Sequence, residues 1–213
     1  MAQSGYYEAA ERCEGATALV QIALLLSRWS PYDKSTRVNN YWVDQAFHHA
    51  MVARLSESGA PYSRVIWWCC IVKNRGLALG LRRPDTLRVY EPGPMLQWED
   101  CGAMARLALM PQLYSPQVYS KICVIEAFIA LCGLSELMKD IVLLRSRWGQ
   151  YADWRTTHTR SAMYKADVMH VLHIEQGFRQ WRQSHNNLFA QMGKPSLNRV
   201  ASTILRVLLI VYL

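Results

Sequence analysis

The sequence has little charge, few lysines and no cysteine pair with the spacing of a metal site. Charged residues make up 19% of its 213 residues, against about a quarter in an average soluble chain. Apolar residues make up 51%, so a chain of this length can bury a core. This composition excludes a disordered tail, and the length excludes a large multidomain enzyme.

Common enzyme motifs are also missing. The sequence contains no Gly-x-Ser-x-Gly turn, no Gly-x-Gly-x-x-Gly loop, no P-loop and no paired-carboxylate signature. Cys69 and Cys70 have no histidine close in sequence, which favours inert core thiols over nucleophiles. We therefore expect no catalytic residues and no enzyme.

The six cysteines lie at positions 13, 69, 70, 101, 123 and 132, and no two of them form a CxxC pair. Most lie within apolar runs, where a free thiol behaves as a small buried hydrophobe. The N-terminus has no basic region followed by an apolar stretch. These features predict a reduced, intracellular protein without a secretion signal.

The positive charge is unevenly distributed. The net charge of +8 divides into +2 over residues 1–110 (12 basic, 10 acidic) and +6 over residues 111–213 (12 basic, 6 acidic). The basic residues are scattered, which is more typical of solvated helix faces than of a phosphate-binding stripe. Net charge alone does not indicate a nucleic-acid binder.

Hydrophobic periodicity predicts an all-α fold, an irregular multi-helix bundle. The run 65–72 also fits a buried strand, but its continuation to Gly80 is too long for one. Proline and glycine predict one long irregular loop over about 82–116, with one short helix at 103–109. The predicted helices cover 7–29, from Ser35 or Asn39 to about 58, 65–80, 117–147, 157–190 and 197–213.

Several faces are predicted to be buried. Helix 7–29 is apolar on nearly all sides, and 117–147 is expected to be central. Gly177 is expected to divide helix 157–190. The residues of the later helices expected to face inward are Ile122, Ile125, Phe128, Ile129, Cys132, Met138 and Ile141, followed by Met163, Ala166, Met169, Leu172 and Phe178.

The segment 197–213 is almost entirely apolar. A membrane span needs about 20 apolar residues, and Arg206 interrupts a run of about half that length, which favours a buried core helix. Its two charges, Arg199 and Arg206, are seven residues apart and share one helix face. We expect the other faces to be covered by the same domain, by a second copy or by further helices of a longer protein.

The sequence offers one candidate metal site. His170 and His173 share one helix face and Glu175 follows, but no third distant ligand is evident, which favours ordinary exposed histidines. His48 and His49 point to different faces of their helix and cannot chelate one ion together. We expect no metal site and no cofactor in this chain.

The most distinctive motif runs from Arg64 to Pro84. It combines Arg64, the Trp67-Trp68 pair, Asn74-Arg75, Gly80 and Arg82-Arg83-Pro84. It closely resembles the signature of the fungal-specific transcription factor domain, the regulatory middle region of fungal zinc-cluster activators, especially those similar to cutinase transcription factors. Leu24–Trp29, Trp42–Ala50 and Phe128–Ser135 resemble neighbouring helices of that family, so the similarity covers about residues 17–145.

The resemblance implies a single domain over 1–213, truncated relative to the family, with a nuclear, non-catalytic role through regulatory proteins, the transcription machinery or a small-molecule effector. Two departures stand out. Asn74 replaces the acidic residue that the family has before its arginine. The family's zinc-cluster module with its CxxC pairs is missing, so direct sequence-specific DNA binding and a zinc cofactor are not expected in this chain.

The motif also has a physical interpretation. Adjacent side chains on a helix diverge by about 100°, so Trp67 and Trp68 are expected to pack against two different neighbours. Arg64 and Arg75 are expected to stack on an indole or cap a helix end, and Gly80, Arg83 and Pro84 to end the helix. This architectural role is favoured; the alternatives are an effector pocket between this helix and 116–147, and, less favoured, a metal-dependent enzyme at His170, His173 and Glu175.

Overall fold

A computed structural model describes residues 15–28, 36–60, 62–80, 93–102, 116–151 and 159–192. These residues form six α-helices and one short 3-10 helix, and no strand occurs among them. The prediction of an all-α, multi-helix fold is confirmed. The helices are α1 (Ala16–Leu26), α2 (Thr36–Val52), α3 (Ser63–Gly80), α4 (Pro116–Tyr151), α5 (Thr159–Ser184) and α6 (Asn186–Met192).

The chain forms two compact units, an N-terminal unit of residues 1–102 and a C-terminal unit of residues 103–213. The N-terminal unit contains α1 to α3, and the C-terminal unit contains α4 to α6. Their boundary falls inside the stretch 82–116 that the sequence predicted to be irregular. The prediction of a single domain over 1–213 stays a prediction.

Helix α1 buries one face rather than its whole circumference. It packs against α2 and α3, and Leu19, Val20, Ala23 and Leu26 are buried. Leu25, however, is 71% exposed, so the expectation of burial on all sides is wrong. The buried positions 19, 20, 23 and 26 share one side of the helix, and position 25 lies off that side.

Helix α2 is confirmed as a helix, but it ends at Val52, before the predicted end at about 58. Its buried residues include Trp42, Val43, Ala46, Phe47 and Ala50. Arg54 lies just beyond the helix end. Its backbone is left-handed, with φ of 48°, and the Leu55 N–H donates to the Ala50 carbonyl at 3.0 Å.

The run 65–72 is helical, as its length predicted, because it belongs to the 18-residue helix α3. Burial along α3 extends from Ser63 to Ala78 and includes two polar side chains, Asn74 and Arg75. Residues 81–92, which include Arg83 and Pro84 of the motif, lie outside the described residues.

Residues 93–102 contain no α-helix and only the 3-10 helix Trp98–Cys101, as expected for the irregular stretch. The segment contacts α3. It ends at Gly102, whose φ of +68° is natural for glycine, and a Cβ there would lie 2.8 Å from the Tyr62 hydroxyl. The predicted short helix at 103–109 lies outside the described residues.

Helix α4 spans 36 residues and packs against α5 and α6. Of the side chains predicted to face inward, Ile122, Cys132 and Met138 are buried. Ile125, Phe128, Ile129 and Ile141 are only half-buried.

The inward face predicted for α5 is wrong. Among the described side chains of α5, Ala166, Met169 and Leu172 are exposed and Phe178 is half-buried. The buried residues there are Asp167 and Ile174. The predicted set recurs every three residues from Met163 to Leu172, so it shifts by about 60° per step around a helix of 3.6 residues per turn and does not define one face. Positions 167 and 174, seven apart, do share a face.

Gly177 does not divide α5. The helix continues through it to Ser184, and the interruption comes at His185. A Cβ on Gly177 would lie 2.7 Å from Leu137 Cδ2, so the glycine allows α4 and α5 to approach closely. The predicted helix 197–213 lies outside the described residues. In the part of the chain that the structure describes, no helix has the length and apolar character needed to cross a membrane.

Candidate functional site

The site built by the motif begins with the tryptophan pair on α3. Trp67 is 2% exposed and Trp68 is 1% exposed. The Trp67 ring meets the edge of Phe47 from α2, with centroids 5.6 Å apart and planes at 88°, a favourable aromatic geometry. Trp67 thus packs toward α2, as expected for one of two divergent neighbours.

Trp68 packs toward a different partner. Its indole Nε1–H donates to the carbonyl oxygen of Pro94 at 3.2 Å. A buried tryptophan needs a partner for this N–H, and the irregular segment 93–102 provides it. The two neighbouring indoles therefore link α3 to α2 on one side and to segment 93–102 on the other.

A second contact holds the same segment. The Arg64 guanidinium donates from Nη1 to Asp100 Oδ1 at 2.7 Å. The other carboxylate oxygen, Oδ2, accepts from the Gln97 backbone N–H at 2.8 Å and closes a capping box on the 3-10 helix. Asp100 therefore fixes the short helix and attaches it to α3. Arg64 was predicted to stack or to cap, and the structure instead gives it an ion pair.

Three further motif residues, Asn74, Arg75 and Gly80, lie on α3. Asn74 and Arg75 are buried, and both have interaction partners. Gly80 is the last residue of α3, where the sequence predicted the helix to end. The structure therefore brings Arg64 and Trp68 to segment 93–102, whereas Trp67 contacts Phe47 of α2.

The thiols of the motif are poorly suited to nucleophilic chemistry. Burial raises the pKa of Cys69 to about 12, and burial also raises the pKa of Cys70. Only the thiolate is a strong nucleophile, and both groups are protonated at neutral pH. The cysteines of the described residues are free thiols.

The alternative metal site is not assembled. His173 and Glu175 are exposed, and the Glu175 carboxylate accepts from Arg179 at 2.6 Å in an i,i+4 pair on the surface of α5. No group of three or more His, Cys, Asp or Glu side chains able to hold a metal ion occurs among the residues that the structure describes.

His48 and His49 are adjacent rings on α2 with centroids 5.3 Å apart. His48 is exposed and His49 is half-buried, which agrees with their predicted divergence. Burial, together with the charge of His48, lowers the pKa of His49.

Sequence reasoning missed two anchors. Asp100 lies 36 residues from Arg64 in a stretch without periodicity, although the capping-box spacing Gln97 to Asp100 is a recognisable signal. Trp181 on α5 donates its indole N–H to the Ala130 carbonyl of α4 at 2.8 Å. The sequence feature that could have indicated this contact is the spacing of Trp181 four residues after Gly177, since a small residue one turn away lets another helix come close.

The predicted effector pocket stays a prediction. It was placed between the Trp67/Trp68 helix and 116–147, and these two helices belong to different units.

Comparisons with known proteins give one informative similarity. The chain is 32% identical over 82 residues to a protein described as a transcription factor from Fusarium pseudograminearum (strain CS3096). The alignment covers 34% of this chain and 9% of that protein, so the chain spans a small part of its relative. No protein-family model matches the chain, and no solved structure matches it.

Proposed function

We propose that this chain is a non-catalytic regulatory domain of a fungal transcription factor. It acts in the nucleus and modulates transcription through contacts with regulatory proteins or the transcription machinery. In finer terms, we propose that it corresponds to the fungal-specific middle region of zinc-cluster activators, in particular those similar to cutinase transcription factors. The similarity to a fungal transcription factor supports the broader statement.

The observation that carries the proposal is that the motif side chains make structural contacts within the N-terminal unit. Arg64, Trp67 and Trp68 are engaged in holding α2 and segment 93–102 against α3. Side chains so engaged stabilise a scaffold and are not presented to a substrate. The protonated thiols of Cys69 and Cys70 support the same conclusion.

A regulatory domain of this kind needs no cofactor of its own. In the family that the sequence resembles, zinc belongs to a separate DNA-binding module. We therefore propose that this chain contributes protein contacts, with DNA contact left to another region or to a partner.

The test is a tethering experiment. The full chain is fused to an unrelated sequence-specific DNA-binding domain in a fungal host that carries a matching reporter gene. Reporter expression should change several-fold relative to the DNA-binding domain alone. A Trp68→Ala fusion should lose the effect because α3 loses its contact with Pro94 and a large buried side chain.

Leu25→Ala is the matched control, since Leu25 is exposed and the fusion should keep its effect. A nuclear fusion, equal in abundance to the control and without effect on the reporter, would overturn the proposal. An effect that appears only when a small molecule is added would favour the effector-sensor alternative.

A further inference from the structure

Segment 93–102 is attached to α3 by side chains from one face of that helix. Near its beginning, the Pro94 carbonyl accepts from the Trp68 indole at 3.2 Å. Near its end, the Asp100 carboxylate accepts from Arg64 at 2.7 Å. Arg64 and Trp68 are four residues apart, so they lie one turn apart on the same face of α3. The segment is therefore held close to both of its ends by a single helix face.

The structure within the segment is weak. Its helical part is the single 3-10 turn Trp98–Cys101. Its Asp100 N–H donates to the Gln97 carbonyl at 3.2 Å, and its Gly102 N–H donates to the Glu99 carbonyl at 3.4 Å, both longer than the usual 2.9–3.0 Å. Two of its ten residues are buried, Leu96 and Cys101. Segments with so few buried side chains are the ones that open before the rest of a fold.

The ion pair between Arg64 and Asp100 is the attachment that water reaches. The two side chains are 35% and 15% exposed. The same carboxylate also accepts from the Gln97 backbone N–H at 2.8 Å through Oδ2. Loss of the Asp100 charge therefore weakens the attachment to α3 and the 3-10 turn together, and salt in solution weakens a partly exposed ion pair.

We propose that residues 93–102 form a strap that opens from α3 as one unit while α1 to α3 stay packed, with the ion pair between Arg64 and Asp100 as its latch. The closed strap covers the Trp68 indole. The open strap leaves the Arg64 guanidinium and the Trp68 indole without these partners, one turn apart on α3. The N-terminal unit thus has two states, which differ in whether this face of α3 is covered. This conformational device is independent of the transcriptional role proposed above.

Cysteine modification tests the strap because the N-terminal unit contains a buried thiol in the strap and another in α3. Cys101 is 6% exposed and Cys70 is 0% exposed. In the full chain treated with N-ethylmaleimide, Cys101 should be modified at least about tenfold faster than Cys70, since strap opening uncovers Cys101 alone. Low concentrations of urea should speed Cys70 more steeply than Cys101, because opening of the strap exposes less surface than unfolding of the unit. Mass spectrometry of proteolytic fragments measures each site.

Two variants with the same charge change separate the latch from a charge effect on the thiol. Burial raises the pKa of Cys101, and the neighbouring charges of Asp100 and Glu99 raise it further. Asp100→Asn removes the latch and should speed modification of Cys101 at least about tenfold, with Cys70 unchanged. Glu99→Gln removes a charge beside the same thiol and leaves the latch in place, so it should change the rate far less.

A third variant opens the latch from the side of α3 and leaves the strap sequence intact. Arg64→Gln should speed both the modification of Cys101 and amide hydrogen exchange in 93–102. Arg28→Gln, which removes an exposed arginine, should change neither. Added salt should speed modification of Cys101 in the unmodified chain and have a smaller effect in Asp100→Asn, which has no latch left to screen.

Three results would overturn the proposal. The first is modification of Cys101 no faster than that of Cys70 in the unmodified chain, with equal urea dependence, because the segment would then open only when the whole unit unfolds. The second is equal acceleration by Asp100→Asn and Glu99→Gln, which would assign the effect to charge near the thiol. The third is acceleration of Cys70 together with Cys101 in both latch variants, which would make the ion pair part of the core.

Discussion

Trp67 and Trp68 are neighbours in the sequence, and yet each stabilises a different contact. Consecutive side chains on an α-helix diverge by about 100°, so Trp67 meets Phe47 of α2 and Trp68 reaches Pro94. Through these two side chains, α3 contacts both a helix and an irregular segment.

Replacement of Trp67 by alanine should lower the free energy of unfolding by about 3–5 kcal/mol, because a large, almost fully buried side chain leaves a cavity. Urea unfolding followed by far-UV circular dichroism measures the loss. Leu25→Ala, at an exposed position, should cost well under about 1 kcal/mol. A loss below about 1 kcal/mol for Trp67→Ala would contradict the buried role of the motif.

The sequence predicts the buried tryptophans of the site but not the ion pair between Arg64 and Asp100. Burial of the tryptophans follows from their place in an apolar helical run. Asp100 does not, because it lies 36 residues from Arg64 and belongs to a segment whose position depends on tertiary contacts rather than on its own pattern. Arg64 was assigned to stacking or capping for the same reason: its partner is remote in sequence.

Helices as elements are well predicted where apolar residues recur at steps of three and four, as in α2. The spacing of the apolar residues decides whether the predicted helix face is correct. On α5 the predicted face used steps of three only, and it drifts around the helix, so Met169 and Leu172 are exposed while Ile174 is buried. Close packing of α5 on α4 then depends on Gly177, a residue that the pattern alone presented as a helix breaker.

Gly133 on α4 and Gly177 on α5 both lie where these two helices pack together, and replacement by alanine should affect them differently. Alanine gains roughly 0.5–1 kcal/mol over glycine inside a helix. A Cβ on Gly133 would be no closer than 3.6 Å to Trp181, so Gly133→Ala should raise the free energy of unfolding by about that amount. Thermal unfolding of both variants beside the unmodified chain measures the difference.

Gly177→Ala is the matched partner of that variant. Its Cβ would lie 2.7 Å from Leu137 Cδ2, so the leucine tip must move and the propensity gain is offset. Gly133→Ala should therefore be the more stable of the two. The reverse order would mean that the helices do not approach each other at Gly177 as described.

Glu126 makes the stability of α4 depend on pH. Burial raises the pKa of this carboxyl above its ordinary value of 4.5. The unfolded chain therefore ionises Glu126 first, and stability present below pH 4.5 is lost as the pH rises through the folded-state pKa. Glu126→Gln removes this loss.

The variant should accordingly be more stable than the unmodified chain at pH 7, and the gain should shrink toward zero near pH 4, where both states are protonated. Urea unfolding at the two pH values measures it. Glu175→Gln serves as the control, since Glu175 is exposed and pairs with Arg179, and it should show no such gain at pH 7. An equal gain at both pH values would assign the effect of Glu126→Gln to something other than its charge.

The chain divides into two units at a boundary that the amino-acid composition indicates. Five of the eight prolines lie in 82–116, and the two units meet in sequence at Gly102 and Ala103. Charge follows the same division, with +6 of the net +8 carried by residues 111–213. Periodicity predicts each helix by itself, but it contains no information on how one unit is placed against the other, which depends on surfaces rather than on spacing.

This charge distribution leads to a prediction about DNA. The sequence has no CxxC pair and therefore no zinc-held helix of the kind that enters a major groove, while its basic surplus still attracts phosphates. The isolated chain should bind a duplex and a scrambled duplex of the same composition with equal affinity in gel shifts. Binding should weaken steeply between 50 and 200 mM salt, since log K falls by about 0.9 per phosphate contact for each unit of log salt. A preference for one base sequence at physiological salt would contradict the prediction, because a diffuse basic surface provides no contacts to base edges.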